Sequence, residues 1–497
     1  MDFSSSTTDP TAGLSVPTQV FSDNVQDLLG VSTLPKNPSA IFTVNSTADV
    51  VDDSDNVMTL REAINQANNY QGESLIVFER SLFANPQTIT LNLGELNITH
   101  NLDIIAPHDQ LTGMDLVTVS ANKASRVFEI GTDATVTLSG LIIADGGIRV
   151  DNLQGSRVAI DNGGGIKNNG ALTLDSSIVS NNSITDPSRN NPVSGGGIYN
   201  GGTLDVRNST ITGNEAGVGG GISNQGTLIV SNSTLSNNLA SQRVTTLGGG
   251  IYNTGTAKVL DSTFDDNRII TNAGASGSGI YNAGNFVLSN STLKNNSTVS
   301  AFSDGGGIFN TGTGSLEITN STLDHNSAKD EGGGLVNNGS VTVNNSTFTG
   351  NSAADGGGIS NDGIITISNT TISGNSASGK STLAVSSDSN VNNGGGIYNR
   401  GTLTLVSSTL TINSATNGGG IFNSLGSPYS YPDIANVQNT IIASNLLNEN
   451  GINPDVSGIF TSNGDNLIGD RTGSSGFDAL GDVVGTSDNP ITQDLLP

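Results

Sequence analysis

Gly195-Gly196-Gly197-Ile198-Tyr199-Asn200, written again as Gly394-Gly395-Gly396-Ile397-Tyr398-Asn399, is the stretch on which the fold turns. Copies start at Gly163, Gly195, Gly219, Gly248, Gly277, Gly305, Gly332, Gly356, Gly394 and Gly418, and Ser278 interrupts the fifth. Asn stands five residues after every start, at 168, 200, 224, 253, 282, 310, 337, 361, 399 and 423. An Asn-Ser-Thr-like corner follows (Asn208, Asn232, Asp261 and Asn290 among them), and Asn recurs past it at Asn181, Asn214, Asn238, Asn267, Asn296, Asn326 and onward to Asn445. Between the corners apolar residues alternate, as in Leu204 and Val206, Leu228 and Val230, Leu403 and Leu405. Period two with one apolar face means strands with one side in and one side out.

A unit this small cannot bury a core alone and must stack on its neighbours. Copies start 24 to 38 residues apart, and most of the variation lies between the second Asn and the next triplet. Stacked strands must keep register at about 4.8 Å per coil, so extra residues are tolerated only where the chain leaves the stack as a loop. The expected fold is therefore all-β, a single-stranded parallel β-helix whose crossover preference makes it right-handed. The glycines serve a corner where φ is positive or a side chain would clash. Two asparagine ladders are expected, one through Asn200, Asn224, Asn253, Asn282 and Asn310 and one through Asn214, Asn238, Asn267, Asn296 and Asn326.

The reading divides the chain into an arm (1–40), an N-terminal cap (41–74), the β-helix (75–445) and a closing segment (446–497), with about thirteen coils, roughly 60 Å, in the stack. A helical turn is expected near residues 26–29. Thr59-Leu60-Arg61-Glu62 fits a capping box, and Leu60, Ala63, Ile64 and Ala67 would line one side of a short helix that plugs the open end.

The 497 residues carry no cysteine and a net charge of −26, which excludes disulfides and thiolate metal sites and argues against nucleic acid. No apolar run reaches membrane-spanning length. The first forty residues lack the basic start and apolar stretch of a secretory leader, so the export route is not legible.

Val44-Asn45-Ser46-Thr47-Ala48-Asp49 and Leu60-Arg61-Glu62-Ala63-Ile64 with Ala67-Asn68 resemble the CSLREA-type start of bacterial surface β-helix proteins. Asn466-Leu467-Ile468-Gly469-Asp470 and Gly481-Asp482-Val483-Val484-Gly485-Thr486 resemble the closing part of the same proteins, and the repeats are similar to those of chlamydial polymorphic outer-membrane proteins. Met58-Thr59 stands where the family name has Cys-Ser, so no cysteine role carries over. The resemblance implies a secreted or surface-displayed protein and no reaction.

Two clusters are candidates for chemistry. With coils aligned on the Asn-Ser-Thr corner, Asp265 and Asp266, Lys294, then Asp324 and His325 stack unlike charges on three consecutive coils, with Asp330 and Glu331 in an adjacent loop. Carboxylates beside a cation are what a carbohydrate site needs, although a solvated face with chance pairing reads as plainly. The acidic loop Asp49, Asp52, Asp53 and Asp55 is a candidate for Ca2+, without EF-hand spacing. The expected function is a non-catalytic exported structural or adhesive rod, meeting a surface glycan, a protein or another copy of itself through loops 183–194 and 376–393. The alternative is a polysaccharide-binding or polysaccharide-degrading enzyme, a lyase or glycoside hydrolase, and a third is ice binding by outward Thr402 and Thr404.

Overall fold

The computed structural model describes residues 38–492 apart from 53, 110–112, 150–161, 187–192, 243–245, 301, 379–391 and 425–432. The helical turn expected near 26–29, Asp53, half of the 183–194 loop and most of the 376–393 loop lie outside the described residues.

One coil shows how the unit is built. Gly219-Gly220-Gly221 turn the chain, and strands Ile222–Asn224, Thr227–Ser231, Thr234–Ser236 and Leu239–Ala240 follow, each ended by a corner. The next coil lays Ile251 on Ile222, Val259 on Val230 and Phe264 on Leu235, all parallel and in register. Repetition produces three long sheets of 15, 14 and 15 strands and short sheets of six, four and three. At about 4.8 Å per coil the stack is about 65–70 Å long. It is deeper than thirteen coils because strands Val456–Ile459, Thr461–Ser462, Leu467–Ile468 and Val483–Val484, beyond Asn445, join the same sheets.

Ile222, Leu228, Val230 and Leu235 point inward and are at most 1% exposed, and their equivalents form one continuous apolar core from Val44 to Phe477. The helix Leu60–Asn69 closes the N-terminal mouth. Its capping box is complete, with Glu62 N donating to Thr59 Oγ1 (3.2 Å) and Thr59 N to Glu62 Oε2 (2.8 Å), and Leu60, Ala63, Ile64 and Ala67 are buried in the core. Phe460 and Phe477, centroids 4.9 Å apart, fill the other end. No helix of the described residues is long and apolar enough to cross a membrane.

Polar corners are held by ladders. Asn168, Asn200, Asn224, Asn253, Asn282, Asn310, Asn337, Asn361 and Asn399 each pass an amide N–H to the next side-chain carbonyl oxygen at 2.7–2.9 Å, ending on Asn423. A second buried ladder runs through Asn214, Asn238, Asn267, Asn296 and Asn326 at 2.9–3.0 Å. It begins at Asn182, not at Asn181, which occupies the left-handed position beside it at φ 55°. Hydroxyls make a third ladder that the sequence reading did not contain. The amides of Ser209, Ser233, Ser262 and Ser291 donate to Ser233, Ser262, Ser291 and Ser321 Oγ at 3.0–3.1 Å. The Asn-Ser-Thr corner thus splits its labour: Asn takes the left-handed turn (Asn232, φ 46°), Ser builds the ladder and Thr opens the next strand.

Another left-handed position precedes each Asn of the second ladder. Gly213, Gly350 and Gly374 occupy it in some coils, but Ile412 occupies it at φ 60° with 54% of its surface exposed. A β-branched residue there is strained by about 1–2 kcal/mol, and the exposed side chain returns little. Ile412→Gly is expected to raise stability by about 1 kcal/mol, read as an upward shift of the denaturation midpoint.

Candidate functional site

In the Ile-x-Asn strands, Ile and Asn point inward and the middle residue points out. Six of the ten middle residues are aromatic (Tyr199, Tyr252, Tyr281, Phe309, Tyr398 and Phe422), and they include four of the chain's seven tyrosines. Register places Tyr252, Tyr281 and Phe309 on successive coils. Their rings stack with centroids 5.3 and 5.5 Å apart and planes 17° and 4° from parallel. Burial against neighbouring rings pushes the Tyr252 and Tyr281 hydroxyls above the usual phenol range. Further along, Tyr398 and Phe422 lie 5.6 Å apart, tilted by 50°. Ser223, on the coil between Tyr199 and Tyr252, is 0% exposed and its hydroxyl has no partner.

Beside this strip runs an acidic ladder. The residue preceding each triplet pairs with its equivalents, which brings Asp304, Glu331 and Asp355 onto three consecutive coils. Between Phe309 and Tyr398 the strip shrinks to Val336 and Ser360, 3% and 1% exposed, and charged side chains cover the gap. Ser360 Oγ donates to Glu331 Oε2 at 3.0 Å. Arg400 reaches Glu331 at 2.5 Å and Asp362 at 2.5 and 2.8 Å, with its guanidinium 4.8 Å from the Tyr398 ring centroid.

Four carboxylates therefore face one guanidinium. Burial, then the neighbouring Glu331 and Asp330 charges, push the Asp304 carboxyl up to about 7. Burial also carries Asp355 to about 6, although the Asn393 amide donates to it at 2.7 Å. Tyr398 is pushed up to about 12 by burial. Arg400 is held charged against burial by Glu331 and Asp362. Toward the C-terminal end the face meets a cavity of about 570 Å³ walled by Phe422, Asn423, Ser457 and Ile459.

The column chosen from the sequence lies on a different sheet. Asp265, Lys294 and Asp324 are in register there, with Lys294 Nζ 3.3 Å from Asp265 Oδ2. Asp266 and His325 occupy the left-handed corner position at φ 54° and 52°. Asp266 pairs with Arg268 at 2.7 Å and His325 with Asp324, all on side chains exposed by a third or more. Asp330 is fully buried and accepts from Ser303 N at 3.0 Å. Of the seven residues, only Glu331 belongs to the aromatic face.

In the N-terminal loop, Asp49 receives Arg61 at 2.6 and 3.1 Å and the amides of Asn92 and Leu93 at 2.6 and 2.9 Å. Burial would raise its carboxyl, but these partners hold it below the usual range. Asp52 accepts from Ser54, and Asp55 from Val57 N. Among the described residues no three acidic or histidine side chains come together as a metal site.

The strip was missed because the coils were compared at the Asn-Ser-Thr corner. The legible signal was the variable residue of the glycine motif, so often aromatic in a chain with 4% aromatic residues.

No curated protein matches the chain in sequence. Among solved structures, a mannuronic acid specific polysaccharide family 6 lyase from human gut microbiota is 12% identical, covering 90% of this chain and 92% of its own, with a TM-score of 0.33. The Vag8–C1 inhibitor complex is 11% identical over 90% and 99%, TM-score 0.35, and a PL6 alginate lyase with a trisaccharide is 11% identical over 84% and 85%, TM-score 0.28. These likenesses are too distant to bear on the site. Residues 130–323 match the family model described as a right handed beta helix region, and the chain folds as a right-handed parallel β-helix.

Proposed function

We propose that the chain is a non-catalytic rod that binds a saccharide chain along its aromatic face and is displayed outside a bacterial cell. The run of in-register rings at Tyr252, Tyr281 and Phe309, resumed at Tyr398 and Phe422, carries the binding part of this reading. Stacked on one another, the rings cover their neighbours' faces, so a sugar's CH surface and hydroxyls would meet a rim of ring edges running along the rod. Repetition along the rod axis offers a track for a linear chain, and the Phe422 cavity offers a place for its end. Display outside the cell rests on the likeness of the two ends to bacterial surface proteins.

The test is a glycan-array measurement on the full chain and on a Tyr281→Ala/Phe309→Ala variant. Two aromatic contacts at about 0.5–1.5 kcal/mol each predict affinity weaker by about tenfold or more. Unchanged binding would remove the strip from the function.

Cleavage of the bound chain is the second reading. It is favoured by Asp304, whose carboxyl near 7 could hold a proton for a leaving group, and Asp355 two coils away. Two coils are about 9–10 Å, at the upper edge of the separation used for inverting hydrolysis. Shortened oligosaccharides that appear with the unaltered chain and vanish with Asp304→Asn would establish it.

A further inference from the structure

We propose that the saccharide of this face carries free amino groups, a glucosamine-type chain whose ammonium sits over Asp304, Glu331 and Asp355. The inference rests on the glycan-binding reading above and adds the chemical class of the ligand.

Charge decides between sugars. Asp304, Glu331, Asp355 and Asp362 face Arg400, whose guanidinium is already shared between Glu331 and Asp362. Asp304 Oδ1 is shut off from solvent and has no hydrogen-bond partner. Asp355 Oδ1 accepts from the Asn393 backbone and side-chain amides, and among the described residues no cation is paired with it. An ammonium brings three donors and no acceptor, which matches a row of carboxylate oxygens in surplus. Burial is the main cause of the raised proton affinities of Asp304 and Asp355, and the neighbouring Glu331 charge adds to both. A uronate chain would bring carboxylates against carboxylates, on a protein of net charge −26.

Position supplies the second argument. The ladder lies where the ring strip is interrupted, between Phe309 and Tyr398, so a chain lying on both ring runs crosses the acids.

The experiment measures binding of hexamers of glucosamine, N-acetylglucosamine and galacturonate to the full chain, near neutral pH and low salt. The glucosamine hexamer is expected to bind about tenfold tighter than the N-acetylated one, and the galacturonate hexamer weakest. Asp304→Asn/Asp355→Asn, nearly isosteric, should abolish that preference, bringing the glucosamine hexamer to the affinity of the N-acetylated one. Glu331→Gln should lower the preference in the same direction. Asp265→Asn/Asp324→Asn removes two carboxylates from another sheet and should retain it. Equal binding of both hexamers to the unaltered chain overturns the amino-sugar inference and leaves the glycan reading in place. A preference lost equally in the Asp265/Asp324 variant also overturns it, since attraction would then be diffuse. Binding of no hexamer, with the aromatic variant indistinguishable from the unaltered chain, sinks the glycan reading itself.

Discussion

Replacing Asn267 by Ala is expected to destabilise the chain by about 3–5 kcal/mol. The side chain is 0% exposed and makes four hydrogen bonds. Its carbonyl accepts from Asn238 N at 3.2 Å and Asn238 Nδ2 at 2.9 Å, and its amide donates to Leu235 O at 2.9 Å and Asn296 Oδ1 at 2.9 Å. Removing it leaves the Asn238 backbone amide buried and unmatched, at about 1–3 kcal/mol, takes one partner each from Asn238 Nδ2 and the Leu235 carbonyl, and opens a small cavity. The damage should be local, because each coil contacts only its neighbours. Denaturant titration should show the lowered midpoint, and hydrogen exchange should quicken in the coils containing Asn238 and Asn296 before any other. Asn232→Gly, at an exposed corner with φ 46°, should shift stability by no more than about 0.5 kcal/mol. Similar losses for the two variants would mean that the buried ladder is not what holds these corners.

The second large effect is expected at the first glycine of a triplet. Gly248 has φ 63°, and a Cβ there would lie 2.5 Å from the carbonyl oxygen of Ile251. Gly248→Ala combines left-handed strain of about 1–2 kcal/mol with a backbone clash that needs the corner to shift, for a total of about 3 kcal/mol. Gly274→Ala is the contrast. No atom lies within 4 Å of its added Cβ and its φ is not in the left-handed region, so the change should be neutral or stabilising by about 0.4–1 kcal/mol. Thermal unfolding of the two variants side by side reads the difference, and equal melting temperatures would refute the steric account. The second triplet position is more forgiving than its geometry suggests. An added Cβ on Gly249 would lie 2.6 Å from Ser278 O, yet Ser278 itself fills the corresponding position one coil on, with its hydroxyl buried and unpartnered.

These two residues also show why the fold was legible and the aromatic–acidic face was not. A ladder residue and a corner glycine do the same job in every coil, so their roles repeat in the sequence at recognisable offsets. The Leu60–Asn69 cap was legible for a related reason: its capping box and apolar spacing are local. Asp304, Glu331 and Asp355 carry no local mark. They lie 27 and 24 residues apart in the chain, after loops of unequal length, and become neighbours only because the following triplets are locked in register. Alignment on the Asn-Ser-Thr corner led instead to Asp265, Lys294 and Asp324, which are in register but spend their charges on exposed partners.

By itself the sequence determined the parallel stack, its inward Ile, Leu and Val columns, its asparagine corners and the helical plug, because backbone hydrogen bonding and period-two burial act the same way on each repeat. Only the tertiary structure decided what the outside of the stack presents. Outward residues are free of the repeat's constraints, and whether an isolated tyrosine becomes part of a ring strip, or an acid part of a ladder, depends on what the neighbouring coil places about 4.8 Å away.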